Sequence, residues 1–188
     1  CLINQREIGA DTDSYARALR GALREDPDVI VIGDLRDNES ISLALTAAET
    51  GHIVLGTLSS TTAPKAIDRI ITSFPHKEQA QVRIAVAESL KYIIAQRLLP
   101  VEGSFDRVAC FEVLIGTTSV ANLIRDEKTY QLPSAMQMGK GIGMQSFDDG
   151  LRGLLRKRKI SGETAYMHAS NREEFEGLVS EEFLETGI

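Results

Sequence analysis

Apolar residues in this 188-residue chain fall into two patterns, short unbroken runs and longer periodic stretches. Val29-Ile30-Val31-Ile32 and Ile53-Val54-Leu55, the latter within an expected strand over 52–58, are runs of the first kind, bounded by acidic, glycine or polar residues. Continuous apolarity without alternation predicts strands buried on both faces, as in a mainly parallel sheet covered by helices. Helical patterns separate them. Asp11-Thr12-Asp13-Ser14 offers capping side chains for a helix through Tyr15, Ala18, Leu19, Ala22 and Leu23, which Pro27 ends. Asp37 or Asn38 caps a second helix through Ile41, Leu43, Ala44, Leu45, Ala47 and Ala48, with Gly51 in the favoured position past its end. A polar loop, Ser59-Ser60-Thr61-Thr62, leads to a third helix over 63–72 that stops before Pro75. Residues 1–8 read as an earlier short strand closed by Gly9. Alternating strands and helices at this spacing predict βαβ units with right-handed crossovers, and so an α/β fold.

Further on the pattern changes. Val82, Val86, Leu90 and Ile93 or Ile94 share one stripe, which predicts a long helix over 77–99 ended by Pro100. Residues 108–115 read as another strand. A short helix over 119–125 follows, then the glycine-rich Gly139-Lys140-Gly141-Ile142-Gly143, read as a flexible linker. Helices are expected at about 147–157, 161–170 and 172–184. The division this suggests is a sheet-containing domain over 1–117 and a small helical subdomain over 118–188.

Composition narrows the class. Hydrophobic residues at 43% and charged residues at 26% are ordinary for a soluble globular domain. A net charge of −6 argues against a general nucleic-acid binder. No apolar run approaches the roughly 20 residues of a membrane span, so membrane insertion is not expected and a cytoplasmic protein is. Cys1 and Cys110 supply neither a disulfide framework nor a cysteine metal site. A chain that opens on Cys1, inside an expected strand, reads as an excerpt of a longer protein.

The candidate chemistry gathers around 28–37. Asp34 sits where the first apolar run emerges, the edge at which an open α/β sheet binds its ligands. Nucleotide hydrolases place a carboxylate there to hold Mg²⁺, usually through water, or to polarise the attacking water. The plain alternative is a core strand ending in a solvated acidic turn. His52, entering the second run from a glycine turn, is expected at the same rim as Asp34, in reach of a phosphate or water. Arg6, Arg36 and Arg69 could each meet a phosphate or a neighbouring subunit's carboxylate, although surface pairing is their commoner use. Gly139–Gly143 lacks the Gly-x-x-x-x-Gly-Lys-Ser/Thr spacing of a phosphate cradle. The basic run Arg156-Lys157-Arg158-Lys159 ends a helix, where it complements the helix dipole.

Taken together, several segments resemble the secretion ATPase superfamily of type II secretion and type IV pili. They are Asn4-Gln5-Arg6-Glu7-Ile8-Gly9, Leu23-Arg24-Glu25-Asp26-Pro27-Asp28, Ala47-Ala48-Glu49-Thr50-Gly51-His52, Ala66-Ile67-Asp68-Arg69-Ile70 and Phe74-Pro75. Asn122-Leu123-Ile124-Arg125-Asp126, Gln131-Leu132-Pro133 and Gly143-Met144-Gln145-Ser146-Phe147-Asp148 resemble its pilus retraction (PilT-type) branch. The resemblance implies a RecA-like, mainly parallel sheet flanked by helices in a cytoplasmic homo-hexamer at the inner-membrane face. It implies a motor that binds ATP and Mg²⁺ and works with an inner-membrane platform protein and related pilus motor ATPases. It makes residues 28–37 the Walker B segment and His52 the start of the so-called His box. On this view Asp34 and His52 are catalytic, and Gly33, Arg36, Ser59 and Arg69 contact the nucleotide. Asn122–Asp126 matches a motif needed for retraction rather than for nucleotide binding.

The chain departs from that family in four respects. It contains no Walker A motif and no upstream acidic box, so by itself it lacks the amides and lysine that cradle the β- and γ-phosphates. Asp34 stands where a glutamate is usual, one methylene shorter. Ser59 stands at the second His-box histidine. Ser119-Val120-Ala121 replaces Ala-Ile-Arg in the retraction motif. Two further readings stay open: a non-catalytic paralogue that scaffolds or regulates an active motor, and a pilus assembly or type II secretion ATPase. The latter branch typically carries a four-cysteine zinc insertion, which two isolated cysteines do not supply.

Overall fold

Ser14 accepts a hydrogen bond from the Arg17 N–H at 3.1 Å and starts helix α1, Tyr15–Ala22. In the same way Asp37 accepts from the Ser40 N–H at 2.8 Å and starts α2, Asn38–Glu49. Each such cap stabilises its helix by about 1 kcal/mol. Between them lies strand β1, Val29–Ile32, which pairs in parallel with β2, Ile53–Gly56. The register runs from Val29↔Ile53 to Ile32↔Gly56. Gly51, at φ +102°, makes the tight turn from α2 into β2.

The computed structural model describes residues 2–180, 183 and 184. They fall into two compact units. The first takes in residues up to Ser60 together with Lys65–Leu90 and Thr118–Thr129, and the second Thr61–Pro64, Lys91–Thr117 and Tyr130 onward. In the first unit Ile30 and Ile32 pack with Leu19, Ala44 and Ala47. Helices α3, Ala63–Thr72, and α4, His76–Ser89, follow, and α5, Thr118–Arg125, lies against α4 with Val120 and Ile124 buried.

The second unit is built on an antiparallel pair, β3 (Tyr92–Pro100) and β4 (Arg107–Ile115), in register from Tyr92↔Ile115 to Pro100↔Arg107. Helices α6 (Leu132–Met138), α7 (Phe147–Arg156) and α8 (Gly162–His168) belong with it. Leu99, Cys110, Phe147, Leu151, Ile160, Ala165 and Phe175 form its core. Lys140 and Arg152 both pair with Asp149, and Arg152 also pairs with Glu174. Burial works to raise the Asp149 carboxyl, but hydrogen bonds from Lys140 and Ser146 and the charges of Lys140 and Arg152 hold it below its ordinary value.

The fold is therefore α/β, with a small parallel sheet flanked by helices, as expected. Several expectations are corrected. β1 is buried on one face only: Ile30 and Ile32 are 6% and 4% exposed, Val29 and Val31 49% and 71%. The long helix expected over 77–99 ends at Ser89, because Leu90 turns extended (ψ 123°) and Tyr92–Pro100 finds a nine-residue strand partner in β4. The described part of residues 1–8 forms no strand, only a single bridge from Ile8 to Thr12. Gly139–Ile142 is no loose linker but a 3-10 turn closed by Gly143 at φ +101°. Arg172–Leu178 is also a 3-10 turn; the helix expected there extends to 184, partly outside the described residues. Helix α6 was not anticipated.

Burial pushes the Cys110 thiol up to about 11. At pH 8 only about 0.1% of it would be thiolate, the form that attacks alkylating reagents. Iodoacetamide at pH 8 is therefore expected to leave Cys110 unmodified in the folded chain and to modify it fully in denaturant, read by mass spectrometry of its peptide.

Candidate active site

The parallel register decides which residues meet. Beyond Ile32↔Gly56 the two strands leave the sheet side by side, and Thr57 joins them. Its N–H donates to the Ile32 carbonyl at 3.2 Å, its carbonyl accepts from the Leu35 N–H at 2.9 Å, and its Oγ1 donates to the Gly33 carbonyl. Gly56 leaves room for Leu35: a Cβ there would come within 3.0 Å of the Leu35 Cγ. Gly33 and Asp34 are thus held beside the start of the Leu58–Ser59 loop at the carboxyl edge of the sheet. Thr57 was missed in the sequence; a hydroxyl directly after the second apolar run was the available signal.

Asp34 carries the carboxylate of this rim, with its side chain 25% exposed. Its partner is Arg36, whose Nε donates to Oδ2. The hydrogen bond and charge of Asp34 hold the Arg36 guanidinium above its ordinary value, so it stays cationic. Arg36 is otherwise exposed, which leaves it free to turn towards an incoming anion. Arg69, on α3, donates to the Ser59 carbonyl and so ties the loop after β2 to that helix. Gly33, Asp34, Arg36, Ser59 and Arg69 therefore come from the two strand exits and the helix that follows. One carboxylate, two guanidiniums and a hydroxyl make a set suited to a cation bridged to phosphate oxygens.

His52 does not join them, contrary to the expectation of a shared rim. It precedes Ile53, which pairs with Val29, so it stands at the amino edge of the sheet. The four-residue strand alone puts roughly 13 Å between the two edges. Its Nδ1 lies 3.0 Å from the Ala47 carbonyl and 3.2 Å from Thr50 Oγ1. A carbonyl only accepts, so Nδ1 carries a proton in this arrangement. Arg6 pairs with Glu25 instead of facing the rim.

Asn122–Asp126 lies on and just past α5. Ile124 is fully buried, whereas Asn122, Arg125 and Asp126 are exposed. Arg125 donates to Asn122 Oδ1 at 3.0 Å and lies 3.9 Å from Glu88. One side of this helix anchors it and the other presents polar groups. In the second unit the Lys140 ammonium is 2.8 Å from Asp149, engaged by a carboxylate rather than offered to a phosphate. Arg156, the last residue of α7, and residues 157–159 just past it are exposed. Among the described residues no three His, Cys, Asp or Glu side chains gather as a metal cluster, and no helix is long and apolar enough to cross a membrane.

The chain is similar to known proteins over most of its length. Residues 3–139 match the family described as type II/IV secretion system protein. The type IV pilus retraction ATPase PilT of Pseudomonas aeruginosa is 51% identical over 93% of this chain and 51% of its own length. The twitching motility protein of Neisseria gonorrhoeae is 50% identical over 92% of this chain and 46% of its own. A crystal structure of the pilus retraction motor PilT with bound ADP superposes with a TM-score of 0.82 at 47% identity, over 93% of this chain and 49% of that one. The chain thus spans about half the length of the relatives it matches.

The Asp34–Arg36 pair is exposed on one side and spans a single turn of chain, so it contributes little to folding. Asp34→Asn is expected to leave the melting temperature essentially unchanged by circular dichroism, which separates any loss of activity from loss of fold.

Proposed function

Because the chain belongs to the type II/IV secretion system protein family, we propose that it is the C-terminal portion of a hexameric motor that hydrolyses ATP to retract a type IV pilus and so drives twitching motility. One observation carries the reading. Asp34 and Arg36 pair where β1 leaves the carboxyl edge of the parallel sheet, and Arg69 holds Ser59 where β2 leaves it, in a chain 51% identical to a PilT protein over 93% of its own residues. We further propose residues 1–117 as part of the RecA-like domain and 118–188 as the helical subdomain. That division stands beside the compact units, since Thr118–Thr129 packs with the first and Lys91–Thr117 with the second.

In this reading Asp34 orients the attacking water or holds water bound to Mg²⁺. The metal fits the donor set, because Mg²⁺ is commonly held by one or two carboxylates with water and phosphate oxygens, and Asp34 presents one. When bound, Mg²⁺ would neutralise charge developing on the transferred phosphoryl group. Arg36 and Arg69 neutralise phosphate oxygens, Ser59 offers a hydroxyl, and Gly33 allows close backbone approach. His52, from the far edge, takes a positioning role at the α2–β2 turn. The amides and lysine that cradle the β- and γ-phosphates are not among these residues, so the chain by itself is expected to lack ATPase activity. Asn122, Leu123, Ile124, Arg125 and Asp126 form the proposed partner motif, with Asn122, Arg125 and Asp126 offered outward to the motor's partners, an inner-membrane platform protein or a related pilus motor ATPase. A cytoplasmic hexamer at the inner-membrane face follows from the same reading.

A second reading rests on Asp34 and Ser59 themselves. With one methylene less on the carboxylate and no histidine at 59, the chain would serve as a non-catalytic scaffold or regulator of an active motor. The assembly or secretion branch is less well supported, as the two cysteines cannot form its zinc site. In the full-length protein, Asp34→Asn is expected to lower Mg²⁺-dependent phosphate release from ATP at least about 100-fold. Unchanged turnover removes Asp34 from the chemistry, and absence of turnover in the unmodified hexamer favours the scaffold.

A further inference from the structure

Glu112 is a carboxylate in the middle of a strand that is otherwise apolar from Val108 to Ile115, and it is 5% exposed. Burying a charge there costs several kcal/mol unless it is partnered. Its partner is not a cation in contact but a backbone donor 49 residues away: the Ala63 N–H, at 2.6 Å from Oε1. The Phe147 amide also faces the carboxylate. Ala63 is the first residue of α3 and is fully buried. The first N–H groups of a helix have no partner within it, and a carboxylate placed there also complements the helix dipole. Thr61–Pro64 is a four-residue passage through the second unit by a chain that belongs to the first on either side. The Ala63–Glu112 bond lies within the second unit.

The charged surroundings of Glu112 come from three further elements. Arg97 on β3 lies over the Phe147 ring, 4.1 Å from its centroid, and donates to the His168 carbonyl at 3.4 Å. Asp148 on α7 accepts from the Ser170 and Asn171 amides at 2.8 and 3.0 Å. His168, on α8, is held below its ordinary value by burial and by Arg97. Burial raises the Glu112 carboxyl and Asp148 adds to this, against the Ala63 and Phe147 amides and Arg97; the balance leaves it above its ordinary value.

We propose that Glu112 is the positioning residue of the loop that joins β2 to α3, fixing the Ala63 end of Ser59–Ala63 as Arg69 fixes the Ser59 end. It touches no nucleotide itself. Its effect on catalysis passes through Ser59 and Arg69 and so rests on the nucleotide-hydrolase reading of the rim; its effect on the loop does not.

The test compares Glu112→Ala, which removes the acceptor, with Glu112→Gln, which keeps an oxygen at the same reach without the charge. Both are made in the full-length protein. Amide exchange is followed by mass spectrometry in peptides covering 57–66, 29–35 and 107–115. Glu112→Ala is expected to speed exchange in 57–66 about ten-fold, the size of a lost helix cap, and to leave 29–35 unchanged. Glu112→Gln is expected to hold 57–66 near the unmodified rate. ATP turnover should follow the loop, with kcat reduced in Glu112→Ala and largely restored in Glu112→Gln. Unchanged exchange in 57–66 of Glu112→Ala overturns the proposal. So does exchange raised equally in all three peptides, which would mean general destabilisation. If Glu112→Ala does not fold, Glu112→Asp, which keeps the charge but not the reach, must show the same selective loosening or the proposal fails. If the unmodified protein hydrolyses no ATP, the rim reading falls and the exchange comparison alone decides the role of Glu112.

Discussion

The parallel pairing of Val29–Ile32 with Ile53–Gly56 is the constraint on which the candidate site depends. Parallel strands bring like ends together, so whatever leaves β1 meets whatever leaves β2. Asp34 and the Ser59 loop become neighbours though separated by a whole helix in sequence. Thr57 makes that neighbourhood specific, engaging Ile32, Leu35 and Gly33 of the other chain segment with its N–H, carbonyl and hydroxyl. The same pairing sends His52 to the opposite edge. A one-residue slip of register would exchange the buried and exposed faces of β1. It would also separate Thr57 from Gly33 and Leu35.

Polar groups in the second unit are arranged on a different principle. Glu112 and Asp148, both nearly buried, accept backbone N–H bonds from chain that has no strand or helix partner to offer: Ala63 at the head of α3, and Ser170 and Asn171 after α8. Each satisfies donors that would otherwise be stranded. The guanidinium of Arg97, stacked on Phe147, acts on the Glu112 charge. These carboxylates act as fasteners between distant pieces of backbone. At the rim, by contrast, the carboxylate of Asp34 pairs with an exposed arginine two residues along the chain.

Local sequence was enough wherever the determinants were local. Ser14 and Asp37 stand as caps where expected, α3 spans the anticipated residues, and β1 and β2 fall on the two apolar runs. Asp34 was legible because it follows a run of β-branched residues after a single glycine. The errors share a cause. Tyr92–Pro100 carries a helical stripe that continues from α4, yet it forms a strand because nine residues of β4 lie opposite it, and stripe periodicity does not register a partner. The Gly139–Gly143 stretch reads as flexible by composition and is ordered by the turn that Gly143 closes and by the Lys140–Asp149 pair.

The amino-acid sequence alone therefore determined the identity of the elements around the rim and the carboxylate that ends β1, since caps, turn glycines and apolar runs act within a few residues. Tertiary structure decided the rest. Only the direction and register of strand pairing could separate His52 from Asp34 and bring Thr57 to Gly33. Only burial could turn Glu112 from one acidic residue among many into the acceptor for a helix 49 residues earlier. Those outcomes depend on which backbone groups are left without partners once the chain has packed, and that is a property of the fold, not of any one segment.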